Sequence, residues 1–366
     1  MAQKQSVRFI VIAVLLLLGV WWSLASADRG AALSGYPGGR FLATADWVKQ
    51  HHNDPGLIIV DVRDDEHFDG KLIPGAIRMP WIEFRYTDRA RGIDGVFVGP
   101  ARAQKILGSY GITRNDEVVL YDSVDRDGGA TASYVFWVLD LLGHEKMRIL
   151  ERGIDAWAEA GNELATTPRQ VEPLLYQAPA AEIDLRRQVD GRFIYDRLGD
   201  VYYQLLDVRS PGEYLGENPN PALDGSELKR GHIPTAVNRE YTSNWVDQKS
   251  KAIKPYSELL EHYRGLDPSK AVITYCHSAR RGSYGYYILR LMGLQDVRLY
   301  DASWYEWGSR QRYFPAETLS REFTGKALPK PGMIGGAGRV PAPAKKAADS
   351  GTTSEQPKGG YVSCGG

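Results

Sequence analysis

The sequence predicts an α/β protein made of two copies of one unit, each a mostly parallel sheet covered by helices. Three observations carry this expectation. Short apolar runs typical of buried strands alternate with longer helical segments, the pattern of a parallel, helix-covered sheet. The pattern then repeats at a nearly constant spacing: Asp61 to Asp207 is 146 residues, Trp157 to Trp307 is 150, Asp122 to Cys276 is 154 and Pro74 to Pro234 is 160. A repeat that preserves landmarks in order is an internal duplication. Finally, 366 residues suffice for two ordinary domains, and 43% hydrophobic with 25% charged residues is a globular composition.

In the first copy, Thr44-Ala45-Asp46 starts a capped helix. Leu57–Val60 is a buried strand ending in Asp61-Val62-Arg63, followed by Ile73-Pro74-Gly75-Ala76. Gln104–Tyr110 reads as a helix, Glu117–Tyr121 as a strand, Ala130–Leu142 as a helix stopped by Gly143, Met147–Leu150 as a strand and Gly153–Ala160 as a short helix. The charged stretches Arg85–Asp94 and Asp122–Asp127 read as solvated loops. In the second copy, Tyr203–Leu206 ends in Asp207-Val208-Arg209, and Gly231-His232-Ile233-Pro234-Thr235-Ala236 follows. Tyr256–Tyr263 is helical, Val272–Tyr275 a strand, Tyr284–Met292 a helix and Val297–Tyr300 a strand. The expected domains are 41–165 and 180–315, joined through Thr166–Pro179, with a small-residue linker over 28–40. Residues 330–366, rich in Gly, Pro, Ala and Lys, read as a disordered tail.

The N-terminus carries Lys4 and Arg8, a 14-residue apolar run from Phe9 to Trp22, and an Ala25-Ser26-Ala27 cleavage pattern. This is the anatomy of a secretory signal peptide over 1–27, placing the body in a periplasm or otherwise outside the cytoplasm. Left uncleaved, the same run is an N-terminal anchor in the inner membrane. The formal charge of zero gives no support to nucleic-acid binding. Two cysteines make neither a disulfide framework nor a zinc site, and no metal or cofactor motif stands in a convincing context.

Chemistry concentrates at Cys276. It directly follows a buried strand and precedes a short cationic loop, His277-Ser278-Ala279-Arg280-Arg281, and a helix. A strand-to-helix turn gathers backbone N–H groups and the positive end of the helix dipole, and two arginines add to it. That setting favours a thiolate nucleophile over an inert core thiol. The other cysteine, Cys364, lies in the tail, within reach of Cys276 if the tail is flexible.

Asp-Val-Arg followed by Glu213, the Gly-His-Ile-Pro-x-Ala stretch, the Cys276 loop and Tyr300-Asp-Ala-Ser-Trp-x-Glu-Trp-Gly308 occur in one order. In that order the chain resembles the tandem-domain rhodanese-type sulfurtransferases over about 41–315. The resemblance implies a catalytic second half and an inactive first half, in which Asp122 stands where Cys276 would be. It implies that Cys276 is the sulfur carrier. His277, Ser278, Ala279, Arg280 and Arg281 hold substrate and persulfide through backbone N–H groups, the Ser278 hydroxyl, Arg280 as substrate contact and Arg281 as loop organiser. Asp207 and Arg209 are implied to support the loop. His232 packs near a turn, and His277 points outward into solvent. The first half is expected to be a packing domain, and Tyr284, Tyr286 and Tyr287 ordinary core.

The six-residue loop has the length that the family uses for sulfur. Related phosphatases and arsenate reductases carry an arginine at the next position, which is Gly282 here. Members that use mercaptopyruvate carry two arginines where this chain has Glu213 and Ala222, so that donor is disfavoured. The expected reaction passes sulfane sulfur from thiosulfate, or another sulfane-sulfur donor, to cyanide or a thiol. The alternatives are a non-catalytic persulfide carrier or partner-binding module and, further off, a phosphatase or arsenate reductase.

Overall fold

The computed structural model describes residues 35–324. The expected signal or anchor segment, the tail and Cys364 lie outside the described residues.

Each half is an α/β unit around a five-stranded parallel sheet. The strands of the first half are β1 (Leu42–Ala43), β2 (Leu57–Asp61), β3 (Ile77–Arg78), β4 (Arg85–Asp88), β5 (Ile93–Phe97), β6 (Glu117–Tyr121) and β7 (Met147–Leu150). Those of the second are β8 (Gln188–Val189), β9 (Tyr203–Asp207), β10 (Val237–Asn238), β11 (Ala271–Tyr275) and β12 (Val297–Tyr300). The sheets run β1-β7-β6-β2-β3 and β8-β12-β11-β9-β10, the same order in both halves, as a duplication requires. Central β6 and β11 are flanked by parallel neighbours and read as nearly unbroken apolar runs, because both faces are covered.

The duplication extends to hydrogen bonds. Arg63 and Arg209 each close a buried pair with the aspartate two residues before, with Nη2 to Oδ2 at 2.6 Å in both. Tyr121 Oη accepts the N–H of Ile73, and Tyr275 Oη that of Ile233, each at 3.2 Å.

The halves join through the helices Ala130–Leu141 and Arg280–Leu291. Every residue of the first and most of the second are buried, because each helix covers its own sheet on one face and the other helix on its opposite face. Phe136 meets Tyr287 edge-to-face at 5.1 Å, and buried Asp140 accepts from Tyr286 Oη and, at 2.9 Å, from Arg290 Nε. The tyrosines Tyr284, Tyr286 and Tyr287 are interface core, each fully buried ring contributing about 1.5–3 kcal/mol.

Three sequence expectations are corrected. From Tyr36 onward the expected linker is packed: Gly38 N–H bonds to Leu291 O at 2.8 Å, so close that any Cβ on Gly38 would strike the Arg290 and Leu291 backbone. Arg85–Asp94 is not a solvated loop; β4 and β5 form an antiparallel hairpin that reaches across to the second half. Ile93 is 0% exposed there and joins the core of Tyr275 and Trp304, Arg91 pairs with Glu306 at 2.6 Å, and Phe97 N–H bonds to Asp301 at 2.7 Å. Asp122 and Asp127 are likewise buried. The charges in both stretches looked solvated because their partners sit in distant segments.

Candidate active site

Cys276 follows β11 and is 1% exposed, a free thiol. The loop after it turns sharply: Ala279 has φ +68°, a left-handed conformation costly for a residue with a Cβ. Ser303 holds it there. Its buried Oγ accepts the N–H groups of Cys276 and Ala279, each at 3.2 Å, and donates to Tyr300 O at 2.7 Å. The loop carbonyls are tied as well, Cys276 O to Trp304 N–H at 3.0 Å and His277 O to Tyr305 N–H at 3.1 Å. Arg280 N–H turns back to Ser278 O at 3.0 Å. Of the five loop amides expected to cradle an anion, those of Ala279 and Arg280 are therefore already used. The amides of His277, Ser278, Arg281 and also Gly282 donate to no acceptor among the described residues.

The first half shows what such amides hold. Its helix Ala130–Leu141 follows Gly129 (φ +107°), as Arg280–Leu291 follows Ala279. Ser133 N–H bonds to Gly129 O at 2.8 Å and Ser283 N–H to Ala279 O at 2.7 Å, which aligns Thr131 with Arg281 and Ala132 with Gly282. Asp122 fills this first-half cradle: its Oδ2 accepts the N–H groups of Thr131 and Ala132 at 3.2 Å and the Thr131 hydroxyl at 2.6 Å. A carboxylate oxygen thus occupies the helix N-terminus in the copy without cysteine. Burial pushes the Asp122 carboxyl up, against these three hydrogen bonds.

Arg281 turns away from the loop. It forms two hydrogen bonds to Glu213, at 2.8 and 2.9 Å, and Glu213 also accepts from Asn220 Nδ2 at 2.6 Å and from Ser210 N–H and Oγ. Burial opposes the charge of Arg281, but the hydrogen bonds to Glu213 and the closeness of Cys276 and Glu213 more than offset it and raise its pKa. Burial alone would raise Glu213; Arg281, Asn220 and Ser210 instead hold it below the usual carboxylate range. The charge of Glu213 is spent on Arg281 and is no bare repulsion facing a donor. Ala222, the other position considered for donor choice, lies half-buried against the core around Tyr275 and Trp304.

Arg280 pairs with Asp127 of the first half, which also accepts from Tyr241 Oη at 3.0 Å. Burial and the guanidiniums of Arg126, Arg281 and Arg85 push Arg280 down to about 10. His277 is not a solvated imidazole. It stacks on Tyr305 at 4.1 Å with Nε2 3.0 Å from Pro221 O, and burial followed by Arg281 holds its pKa at about 4. His232 is buried against Tyr214 at 3.6 Å, with Nδ1 2.7 Å from Tyr214 O. The Asp207–Arg209 pair sits below the loop, where Arg209 also bonds Asn220 and Gly231 O and lies 4.2 Å from the Trp304 ring.

A cavity of about 600 Å³ between the halves opens onto Ser278 and Arg280. Its other wall is first-half: Trp81, Arg85, Tyr86, Asp94 and Arg126. Gly282 is tightly packed: a Cβ there would press on the Leu299 side chain at 3.0 Å and touch the Tyr275 backbone at 3.4 Å, so the arginine of a phosphatase loop would have to displace Leu299. Sequence reasoning missed Ser303, Arg85, Arg126 and Asp127. Ser303 lay within the Tyr300–Gly308 stretch. The loop after Asp122 is four residues longer than that after Cys276, and this insertion carries Arg126 and Asp127.

Comparison with known proteins agrees with this architecture. The family model of the Rhodanese-like domain matches twice, at residues 44–160 and 193–310. A thiosulfate sulfurtransferase of Corynebacterium glutamicum is 29% identical over 302 residues, 80% of this chain and 95% of that protein. A protein of Saccharopolyspora erythraea, provisionally named a thiosulfate sulfurtransferase, is 32% identical over 274 residues, 73% and 93% of the two chains. Among solved structures, the anaerobic ergothioneine biosynthesis enzyme of Chlorobium limicola superposes with a TM-score of 0.64 at 23% identity, covering 77% of this chain and 71% of that one, a likeness of fold. The duplicated sheets, the twofold family match and the relatives together identify the chain as a tandem-domain member of the rhodanese family, a sulfurtransferase.

Proposed function

We propose that the protein moves sulfane sulfur from thiosulfate to a thiophilic acceptor through a persulfide on Cys276. The Cys276 thiolate attacks the outer sulfur of thiosulfate; the new S–S bond forms as the donor S–S bond breaks, and sulfite leaves with its electron pair. Cyanide or a thiolate then attacks the outer sulfur of the persulfide, takes it, and returns Cys276 as thiolate. The observation that carries this reading is the pair of unpartnered amides of Arg281 and Gly282 at the helix N-terminus, whose first-half counterparts bind the Asp122 carboxylate. In the second half they receive the outer sulfur anion of the persulfide. Arg281 stays charged beside the sulfur, and Ser278 and Arg280 line the entry. The thiosulfate sulfurtransferase names of the relatives support that donor. The N-terminal charge, apolar run and Ala-x-Ala site support export, which N-terminal sequencing of the protein from its host tests.

The experiment is incubation with thiosulfate, with intact mass read before and after cyanide. Wild type is expected to gain one sulfur on Cys276 and to lose it to thiocyanate, and Cys276→Ser to do neither. Thiocyanate formation at the wild-type rate by Cys276→Ser would overturn the reading.

A further inference from the structure

The half without the cysteine puts an arginine directly on the cysteine loop. Arg85, on β4, donates from Nη2 to Ser278 O at 3.2 Å. The following amide, Ala279 N–H, is the one bound by Ser303, so a single peptide unit is held from the first half at its oxygen and from the second at its nitrogen. Arg85 is only 9% exposed, sandwiched near Trp81 and Tyr134, and lies over Gly95 on the neighbouring strand, where any side chain would collide with its guanidinium.

Four guanidiniums converge here, and they are not equally neutralised. Arg281 is doubly bonded to Glu213, Arg126 bonds Asp64 and Arg280 pairs with Asp127. Arg85 hydrogen-bonds a neutral carbonyl, and its ion pair with Asp94 is the loosest of the four, at 3.6 Å with the Asp94 side chain 44% exposed and so partly screened by water. Its other N–H groups have no acceptor among the described residues. The hydrogen bonds of the cavity carboxylates go to other groups: Asp64 to Trp81, His67 and Arg126, Asp65 to Arg78, and Asp94 to Thr87. Among the described residues, Glu66 alone of the lining carboxylates has no hydrogen-bond or ion-pair partner, and it is solvent-exposed and therefore screened.

We propose that Arg85, carried by the non-catalytic half, anchors the anionic end of the sulfur donor in the cavity while its sulfane sulfur faces Cys276. A guanidinium offers paired N–H donors that match the oxygens of a sulfonate-like group. This inference rests on sulfur transfer at Cys276 and adds that the charge selecting the donor comes from the opposite half.

The test compares wild type, Arg85→Gln and Arg85→Lys with thiosulfate and with a neutral organic trisulfide as donors, following the adduct gained on Cys276 by mass: one sulfur from thiosulfate as sulfite leaves, and a mixed trisulfide from the organic trisulfide as an organic thiolate leaves. Thermal melts verify that each variant is folded. Arg85→Gln keeps an N–H for Ser278 O but loses the charge. Its kcat/KM for thiosulfate is expected to fall about tenfold or more, mainly through KM, with the trisulfide within about twofold of wild type. The fall of thiosulfate kcat/KM with added salt flattens in Arg85→Gln, and Arg85→Lys recovers part of both effects. An equal loss with both donors, or an Arg85→Gln profile and salt slope equal to wild type, overturns the assignment. Sulfur gain by wild-type Cys276 is read first: if no donor gives it, the sulfur-transfer reading itself fails, whereas gain with unchanged Arg85 variants sinks the Arg85 proposal alone.

Discussion

Replacing Ser303 by alanine tests how the cysteine loop is held. The hydroxyl is buried and makes three hydrogen bonds, accepting the Cys276 and Ala279 amides and donating to Tyr300 O. Alanine leaves two buried N–H donors without an acceptor, each costing about 1–3 kcal/mol. Partial relaxation of the loop lowers the sum, so a loss of about 3 kcal/mol is expected. The loop also gains a reason to move, since Ala279 at φ +68° is released from a conformation that costs about 1–2 kcal/mol. On the proposed mechanism, a moved loop takes the Arg281 and Gly282 amides out of alignment with the persulfide, and its formation slows by about tenfold for each 1.4 kcal/mol of lost alignment. Urea unfolding with an unchanged m-value measures the first effect and single-turnover sulfur loading of Cys276 the second. Ser303→Gly separates orphaned donors from backbone strain. Ser303 itself sits at φ +51°, so glycine regains about 1 kcal/mol of stability but not the loading rate. A Ser303→Ala variant within 0.5 kcal/mol of wild type (~, on the scale of an ordinary surface change) would refute the reasoning.

Glu213→Gln leaves the Arg281 guanidinium with its principal partner gone; a loss of about 2–4 kcal/mol is expected in urea unfolding, with slower sulfur loading, and a change below about 1 kcal/mol would show that the pair is not what holds Arg281. The same pair gives acid sensitivity: the folded-state pKa of Glu213 is depressed, so its contribution is full above the ordinary carboxylate value and is lost as pH falls below it. His144 acts in the same direction. It is buried with Nδ1 3.0 Å from Tyr176 Oη and Nε2 3.0 Å from Asp116 O, and burial followed by Arg114 lowers its pKa from 6.5 to about 4. The unfolded chain therefore binds the proton first. Stability from this group is full above pH 6.5 and falls by about 1.4 kcal/mol per pH unit down to about 4, and His144→Gln removes that part of the slope in unfolding measured across the window.

The duplication, the parallel sheets and the placing of Cys276 at a strand-to-helix turn were all legible in the chain, because strand runs, helix stops and the Asp-x-Arg turns are written in contiguous residues. Loop length and Gly282 were legible for the same reason, as was Asp122 as the counterpart of Cys276. What could not be read locally was which charges are solvated. Arg85, Arg126 and Asp127 sit in stretches that resemble polar loops until the packing of Ala130–Leu141 on Arg280–Leu291 folds those stretches onto the second half. Glu213 looked like a lost donor contact and is instead the partner of Arg281; His277 looked solvated and is stacked on Tyr305. The sequence by itself determined the fold of each half and the candidate nucleophile, since both depend on short-range pattern. Only the tertiary structure decided which side chains hold the loop and face the cavity, since those pairings join residues far apart in the chain and are stabilised by burial that no local pattern records.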